Sequence, residues 1–169
     1  MSTPQNLTDC YAHELKDNWS ANDQMRKVLY DLAHAASDRD LKARLQETID
    51  GIPDNNEVIQ SILDDLGESE KEHCKGMEGL VKEAKKHAVE ADISDPDVRD
   101  VIIVAQYQRM AHYGICGFGT AKAFAEALGR EEDVKKLDEL TASIYQADEN
   151  MSDLATRSVN LQAKESEPA

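Results

Sequence analysis

Apolar residues recur along this chain every three or four positions and never alternate over a strand-length run, so the pattern specifies helices. The first stripe, over about residues 5 to 36, is Leu7, Tyr11, Leu15, Met25, Leu29, Leu32 and Ala36, interrupted on that face by Asn22. Ser37-Asp38 ends it and caps a second helix over about 38 to 66, with Leu41, Leu45, Ile49, Ile52, Ile59, Ile62 and Leu66 inward and Gly67 as its stop. Gly51-Ile52-Pro53 lies inside this second run. Proline removes one backbone bond and crowds the carbonyl of Ile49, a cost of about 3 kcal/mol, so the helix should bend there; a broken helix is the alternative.

Ser69 with Glu72 has the spacing of a capping box and predicts a shorter helix over about 70 to 90, with Cys74, Met77, Leu80, Val81 and Ala84 on one side. That segment suits a crossover connection. Asp95-Pro96 opens a fourth helix whose face is Val98, Val101, Ala105, Gln108, His112 and Ile115, running on through Gly117-Phe118-Gly119 to Leu128-Gly129. The last helix, over about 131 to 160, turns Val134, Leu137, Leu140, Ile144, Met151 and Leu154 inward. Four long helices and one short one make an all-α bundle, a single domain over residues 1–160 followed by a flexible polar tail at 161–169.

Charge narrows the partners. Lys and Arg total 19 against 34 Asp and Glu, a formal charge of −15, which repels nucleic-acid phosphates and anionic headgroups alike. Neither a basic n-region nor a bilayer-length apolar run is present, so a soluble, cytoplasmic protein is expected. Cys10, Cys74 and Cys116 lack CxxC spacing and read as small buried hydrophobes, not as a disulfide framework or a zinc site.

Four stretches, HELKDNWSANDQM (13–25), CKGMEGLVKEA (74–84), AHYGICGFGTAKAFAEALG (111–129) and ADENMSDLA (147–155), resemble in order and spacing the YciE/YciF family of ferritin-like proteins. The resemblance implies a ferritin-like four-helix bundle with an additional short helix in the crossover, a homodimer, and a link to bacterial stress. Some members carry a two-metal site, for which the bundle interior must supply carboxylates and usually histidine. Here the carry-over fails. The family's S-A-E-K-Q is matched by Ser20-Ala21-Asn22-Asp23-Gln24, and its H-L-E-E-T-x-x-Q by the eight residues from Thr48 to Asn55, with glycine at 51. E-H-Y-E is matched by Ala111-His112-Tyr113-Gly114, and E-E-K-A-x-D by the six residues from Ser143 to Asp148, with isoleucine at 144 and only the aspartate kept. Asn22 and Ile144 lie on the apolar stripes, so uncharged residues hold interior positions. Glycine at 51 and 114 costs each helix about 1 kcal/mol relative to alanine and leaves space.

The remaining candidates are bland. Glu70 and His73, the one Glu-x-x-His pair, read as a solvated first turn. His112 reads as a hydrogen-bonded core histidine, paired with Asp148 or Glu14, and the Lys16-Asp17, Lys85-Lys86 and Lys135-Lys136 pairs as solvated faces. Trp19, Tyr107, Tyr113, Phe118 and Phe124 are core or dimer contacts, with Tyr107 and Phe118 left over for a dimer because the inward stripe exceeds what four helices need. No nucleophile triad or phosphate loop is recognisable. The expectation is therefore a non-enzymatic structural or interaction protein, with no metal, no cofactor and a degenerate metal centre. A metal-binding protein that protects against oxidation, with Glu14, His112 and Asp148 as an atypical site, is the alternative.

Overall fold

The computed structural model describes residues 3–165. Its helices are α1 (Leu7–Ala35), α2 (Arg39–Asp65), α3 (Lys75–Ala84), α4 (Pro96–Ala127), α5 (Glu131–Leu154) and α6 (Asn160–Glu165). Wide π-type turns, Lys85–Val89 and Ala155–Val159, continue α3 and α5. Among the described residues there is no strand, and no helix is long and apolar enough to cross a membrane.

Local chemistry sets the corners. The Asn6 side chain accepts from the Asp9 amide, Asp38 from Leu41 and Asp95 from Asp97, so α1, α2 and α4 each begin on a side-chain cap. Gly67 (φ 76°) and Gly129 (φ 70°) supply the left-handed residue that ends α2 and α4. Behind them, Glu68 N donates to the Leu63 carbonyl and Arg130 N to the Ala125 carbonyl, both at 2.9 Å. Asp100, buried at the start of α4, accepts from the Ser37 amide and hydroxyl and from the Asp38 amide at 2.7–2.8 Å. That carboxylate ties the α1–α2 corner to α4, so α4 runs antiparallel to α1.

The long crossover from α2 to α4 returns the chain along the outside of α1. Lys16 pairs with Glu68 at one end (2.7 Å) and Lys85 with Asp31 at the other (3.0 Å), while α3 packs on α1 and α4. This is the ferritin-like bundle with an additional crossover helix that the sequence predicts.

Pro53 does not break α2, which is continuous across it. The carbonyl that proline deprives of its partner belongs to Ile49, and Arg26 of α1 donates to it through Nε at 3.3 Å. A neighbouring helix thus supplies the missing donor.

Four expectations are corrected. Residues 69–74 are not helical: Cys74, not Ser69, caps α3, its sulfur accepting from the Met77 amide at 3.3 Å. The buried face of α4 is Ile103, Val104, Tyr107, Met110, Ala111, Gly114 and Phe118, whereas Val98, Ala105 and His112 are exposed. Because α4 contacts α1, α3 and α5, it is apolar on nearly every side, and spacing alone places its stripe poorly. Tyr107 and Phe118 are wholly interior and so are not spare contacts for a dimer. Residues 160–165 form α6; the rest of the tail, 166–169, lies outside the described residues.

The core falls into two clusters. One, around Met25, Leu29, Ile49, Tyr107 and Met110, fills the half nearest the α1–α2 corner; the other, around Tyr11, Leu15, Ile59, Phe118 and Leu137, fills the far half. Between Leu15 and Met25 the inward stripe of α1 is Asn18 and Asn22, both buried, so a polar layer separates the two halves. Ile144 of α5 packs against both clusters.

Candidate functional site

At that divide lies a cavity of about 360 Å³, walled by α1, α2, α4 and α5, with Met77 of α3 at its base. Asn22, Gly51, Ala111, Gly114 and Ile144, five residues from four helices, all line it. The space is open because the side chains that would fill it are missing. A Cβ on Gly51 would meet nothing within 4 Å, and one on Gly114 would meet only Ile144 Cδ1 at 3.7 Å and Phe118 Cε2 at 3.9 Å. Met25, Ile52, Met77 and Met110 make an apolar floor, while exposed Arg44, Glu47, Asp54 and Gln146 ring the mouth between α2 and α5.

Hydrogen bonding inside the cavity has a definite direction. The Trp19 carbonyl can only accept, so the Asn56 amide nitrogen faces it (3.3 Å) and the Asn56 oxygen turns to Asn22, which donates through Nδ2 at 2.9 Å. This leaves the Asn22 carboxamide oxygen, on a residue only 8 % exposed, accepting from no described residue. Thr48 donates its one hydroxyl proton to the Arg44 carbonyl (3.2 Å), so Tyr107 donates to Thr48 across 3.1 Å and keeps its own oxygen lone pairs free. Burial raises the Tyr107 pKa above the ordinary phenol range and keeps it protonated. The Asn22 and Tyr107 oxygens are therefore acceptors, while Asn55, Ser143 and Asn150 complete the polar part of the lining. Deeper in the layer, Asn18 is 1 % exposed and neither amide atom finds a partner; it lies against Gly117, where a Cβ would stand 1.9 Å from Asn18 Oδ1.

This donor set does not fit the two-metal centre that the fold implies. Neutral amide, hydroxyl and thioether groups cannot offset paired divalent charge in an apolar surround, and the acids Glu47 and Asp54 sit at the solvated rim, Glu47 paired with Arg44 at 3.0 Å. Among the described residues no group of three or more His, Cys, Asp and Glu side chains is placed to hold a metal.

Glu14, His112 and Asp148 are not brought together. His112 is 60 % exposed and pairs with Asp148 at 3.0 Å on the outer side of α4 and α5, where Gln108 also donates to Asp148 at 3.2 Å. The histidine is thus a surface residue and not a core one, and Asp148 does not line the cavity. Glu14 stays beside Asp17 and His13, its pKa raised by burial. His73 pairs with Glu78 at 2.9 Å, and not with Glu70, because residues 70–73 are not helical.

A second polar cluster corrects the expectation of a solvated Lys16-Asp17 face, since Lys16 is buried and Asp17 gathers two donors. Tyr113 of α4 donates to Asp17 Oδ2 of α1 at 2.8 Å; the Cys74 thiol donates to the same oxygen at 3.1 Å and lies 3.1 Å from the Tyr113 hydroxyl. The Cys74 amide donates to Ser20 Oγ at 3.0 Å, and Gln24 donates to the Cys74 carbonyl at 3.0 Å. Burial raises the pKa of both Cys74 and Tyr113, so thiol and phenol stay protonated and the cluster fastens the crossover to α1. Gly76 is the signal for it, since a Cβ there would come within 2.7 Å of the Tyr113 ring.

Comparison with known proteins places the chain. The family model described as "Domain of unknown function (DUF892)" matches residues 6–164. YciF of Escherichia coli K12 is 32% identical over 162 residues, 94% of this chain and 95% of the relative. The crystal structure of the E. coli stress protein YciF superposes with a TM-score of 0.85 at 30% identity, over 93% of this chain and 99% of that one. YcfI of Rhodopseudomonas palustris, provisionally described as a structural protein, superposes with a TM-score of 0.82 at 31% identity, over 88% of this chain and 94% of that one. The chain belongs to the DUF892 family, the YciE/YciF group of ferritin-like proteins.

Proposed function

We propose that this chain is a non-enzymatic structural or interaction protein of the YciE/YciF type, working as a cytoplasmic homodimer in bacterial stress, in which the ferritin-like metal centre is degenerate. One observation carries the reading: Asn22, Gly51, Ala111, Gly114 and Ile144 converge on one cavity, and not one of them is a carboxylate or an imidazole. A ferritin-like oxidase needs acidic ligands from all four long helices at that place. Two similar proteins, one a stress protein and one provisionally described as structural, favour the same role.

The test is oxidation of ferrous iron by the purified full chain, followed optically under air and with peroxide. The expected rate is that of buffer alone; a saturable, protein-dependent oxidation would overturn the reading. For the homodimer, sedimentation at micromolar concentration should give twice the 18.8 kDa chain mass, and a single species at the chain mass would refute it.

A further inference from the structure

We propose that the cavity is a binding site for a small neutral aromatic molecule bearing an O–H or N–H donor, a phenol or an indole, with its ring among the methionines and its donor on the Asn22 carboxamide oxygen or the Tyr107 hydroxyl. The inference rests on the proposed reading that the metal centre is degenerate, and names what the space takes instead.

Volume sets the size of the guest. A cavity of about 360 Å³ is more than twice the roughly 150 Å³ of an engineered apolar cavity that takes up benzene, and lies within the range of small-molecule sites. The floor sets its character: Met25, Met77 and Met110 are flexible and polarisable, adapt to irregular shapes and favour contact with aromatic faces, and Ile52 and Ile144 complete an apolar wall.

Polarity sets the functional group. The relay through Asn56 to the Trp19 carbonyl leaves the oxygen of Asn22, a residue of the cavity wall, without a donor, and Tyr107, still protonated, spends its hydroxyl hydrogen on Thr48. A guest that only accepts hydrogen bonds leaves these groups unpaired, whereas a donor satisfies one of them. Charge excludes the ionic alternatives. A carboxylate would meet acceptors inside a chain of formal charge −15, with Arg44 at the rim already held by Glu47, and a cation would find no carboxylate in the floor.

The experiment titrates the metal-free full chain, carrying 13C-methyl methionine, with indole, with 1-methylindole, which lacks the donor, and with indole-3-carboxylate. Indole should bind saturably at one site per chain, shifting the Met25, Met77 and Met110 methyl signals and leaving Met151, which lines no part of the cavity, in place. The 1-methyl analogue should bind about tenfold more weakly and the carboxylate not at all. Ala111→Leu, which adds three carbons at the wall, should abolish binding, and Asn22→Leu should weaken it about tenfold while circular dichroism stays unchanged. No saturable shift by indole, shifts that include Met151, or equal binding of indole and 1-methylindole would each overturn the proposal. Failure of the underlying reading is a separate result, seen as metal in the purified chain before any titration.

Discussion

A Cβ on Gly114 of α4 would stand 3.7 Å from Cδ1 of Ile144 on α5, an ordinary van der Waals contact, so glycine and isoleucine face each other across the bundle where acidic ligands would have to converge. Gly114→Ala should therefore be accepted without repacking and should raise stability by up to about 1 kcal/mol through helix propensity. Ile144→Ala, which unlinks the two core clusters and enlarges a cavity already present, should lower it by about 2 kcal/mol. Urea unfolding followed by circular dichroism checks both signs.

Gly117 obeys the opposite rule. With Asn18 Oδ1 only 1.9 Å from where its Cβ would stand, and the amide too buried to swing aside, Gly117→Ala should destabilise by at least about 1 kcal/mol. In an Asn18→Ala background the clash is gone, and the same substitution should be neutral or better. A double-mutant cycle that returns no coupling would show that the Asn18 side chain does not rest on Gly117.

Arg26 and Pro53 should be coupled in the same way. Arg26→Met leaves the Ile49 carbonyl without a donor and should cost about 1–2 kcal/mol. With Pro53→Ala in place, the backbone amide at 53 serves that carbonyl, and the cost of losing the guanidinium should fall to a few tenths of a kcal/mol. Equal costs in both backgrounds would contradict the account of how α2 passes its proline.

Of the three thiols that the sequence suggests are buried, only Cys74 is; Cys10 is half-buried and Cys116 exposed, so their reactivities should differ. Cys116 is exposed and should react with an aromatic disulfide reagent at once, while buried Cys74 should react only on unfolding. The Cys74 pKa is raised in the fold, so its contribution to stability is complete below the ordinary thiol value of 9.0 and is lost as pH rises through the higher folded value. Tyr113 acts in the same direction, from 10.0 upwards. Alkaline unfolding should therefore begin at higher pH in Cys74→Ser, whose hydroxyl does not titrate there.

How much of this was legible in the sequence depended on the sidedness of each helix. On α1 and α2 one face is clearly polar, so Asn22 stood out as a polar residue on an apolar stripe and indeed lines the cavity. On α4, packed on three sides, the stripe could be drawn one position away, which turned exposed His112 inward and left Tyr107 to the surface. The Ser69–Glu72 spacing misled because the loop is held by tertiary contacts, Lys16 with Glu68 and His13 with Glu72, and not by a local cap. The Asp17, Cys74 and Tyr113 cluster joins residues up to 96 positions apart, a distance at which periodicity carries no information. The emptied metal positions were legible only through the family resemblance, which aligned them; their meeting at one cavity is a property of the fold.

The most direct test of a degenerate metal centre is the metal content of the chain itself, purified without chelator and analysed for iron, manganese and zinc, with thermal midpoints taken before and after chelator. Well below one metal per chain is expected, with a midpoint that chelator does not move, since apolar packing and not ligation holds the bundle together. Near-stoichiometric metal, or a midpoint that falls when chelator is added, would contradict it.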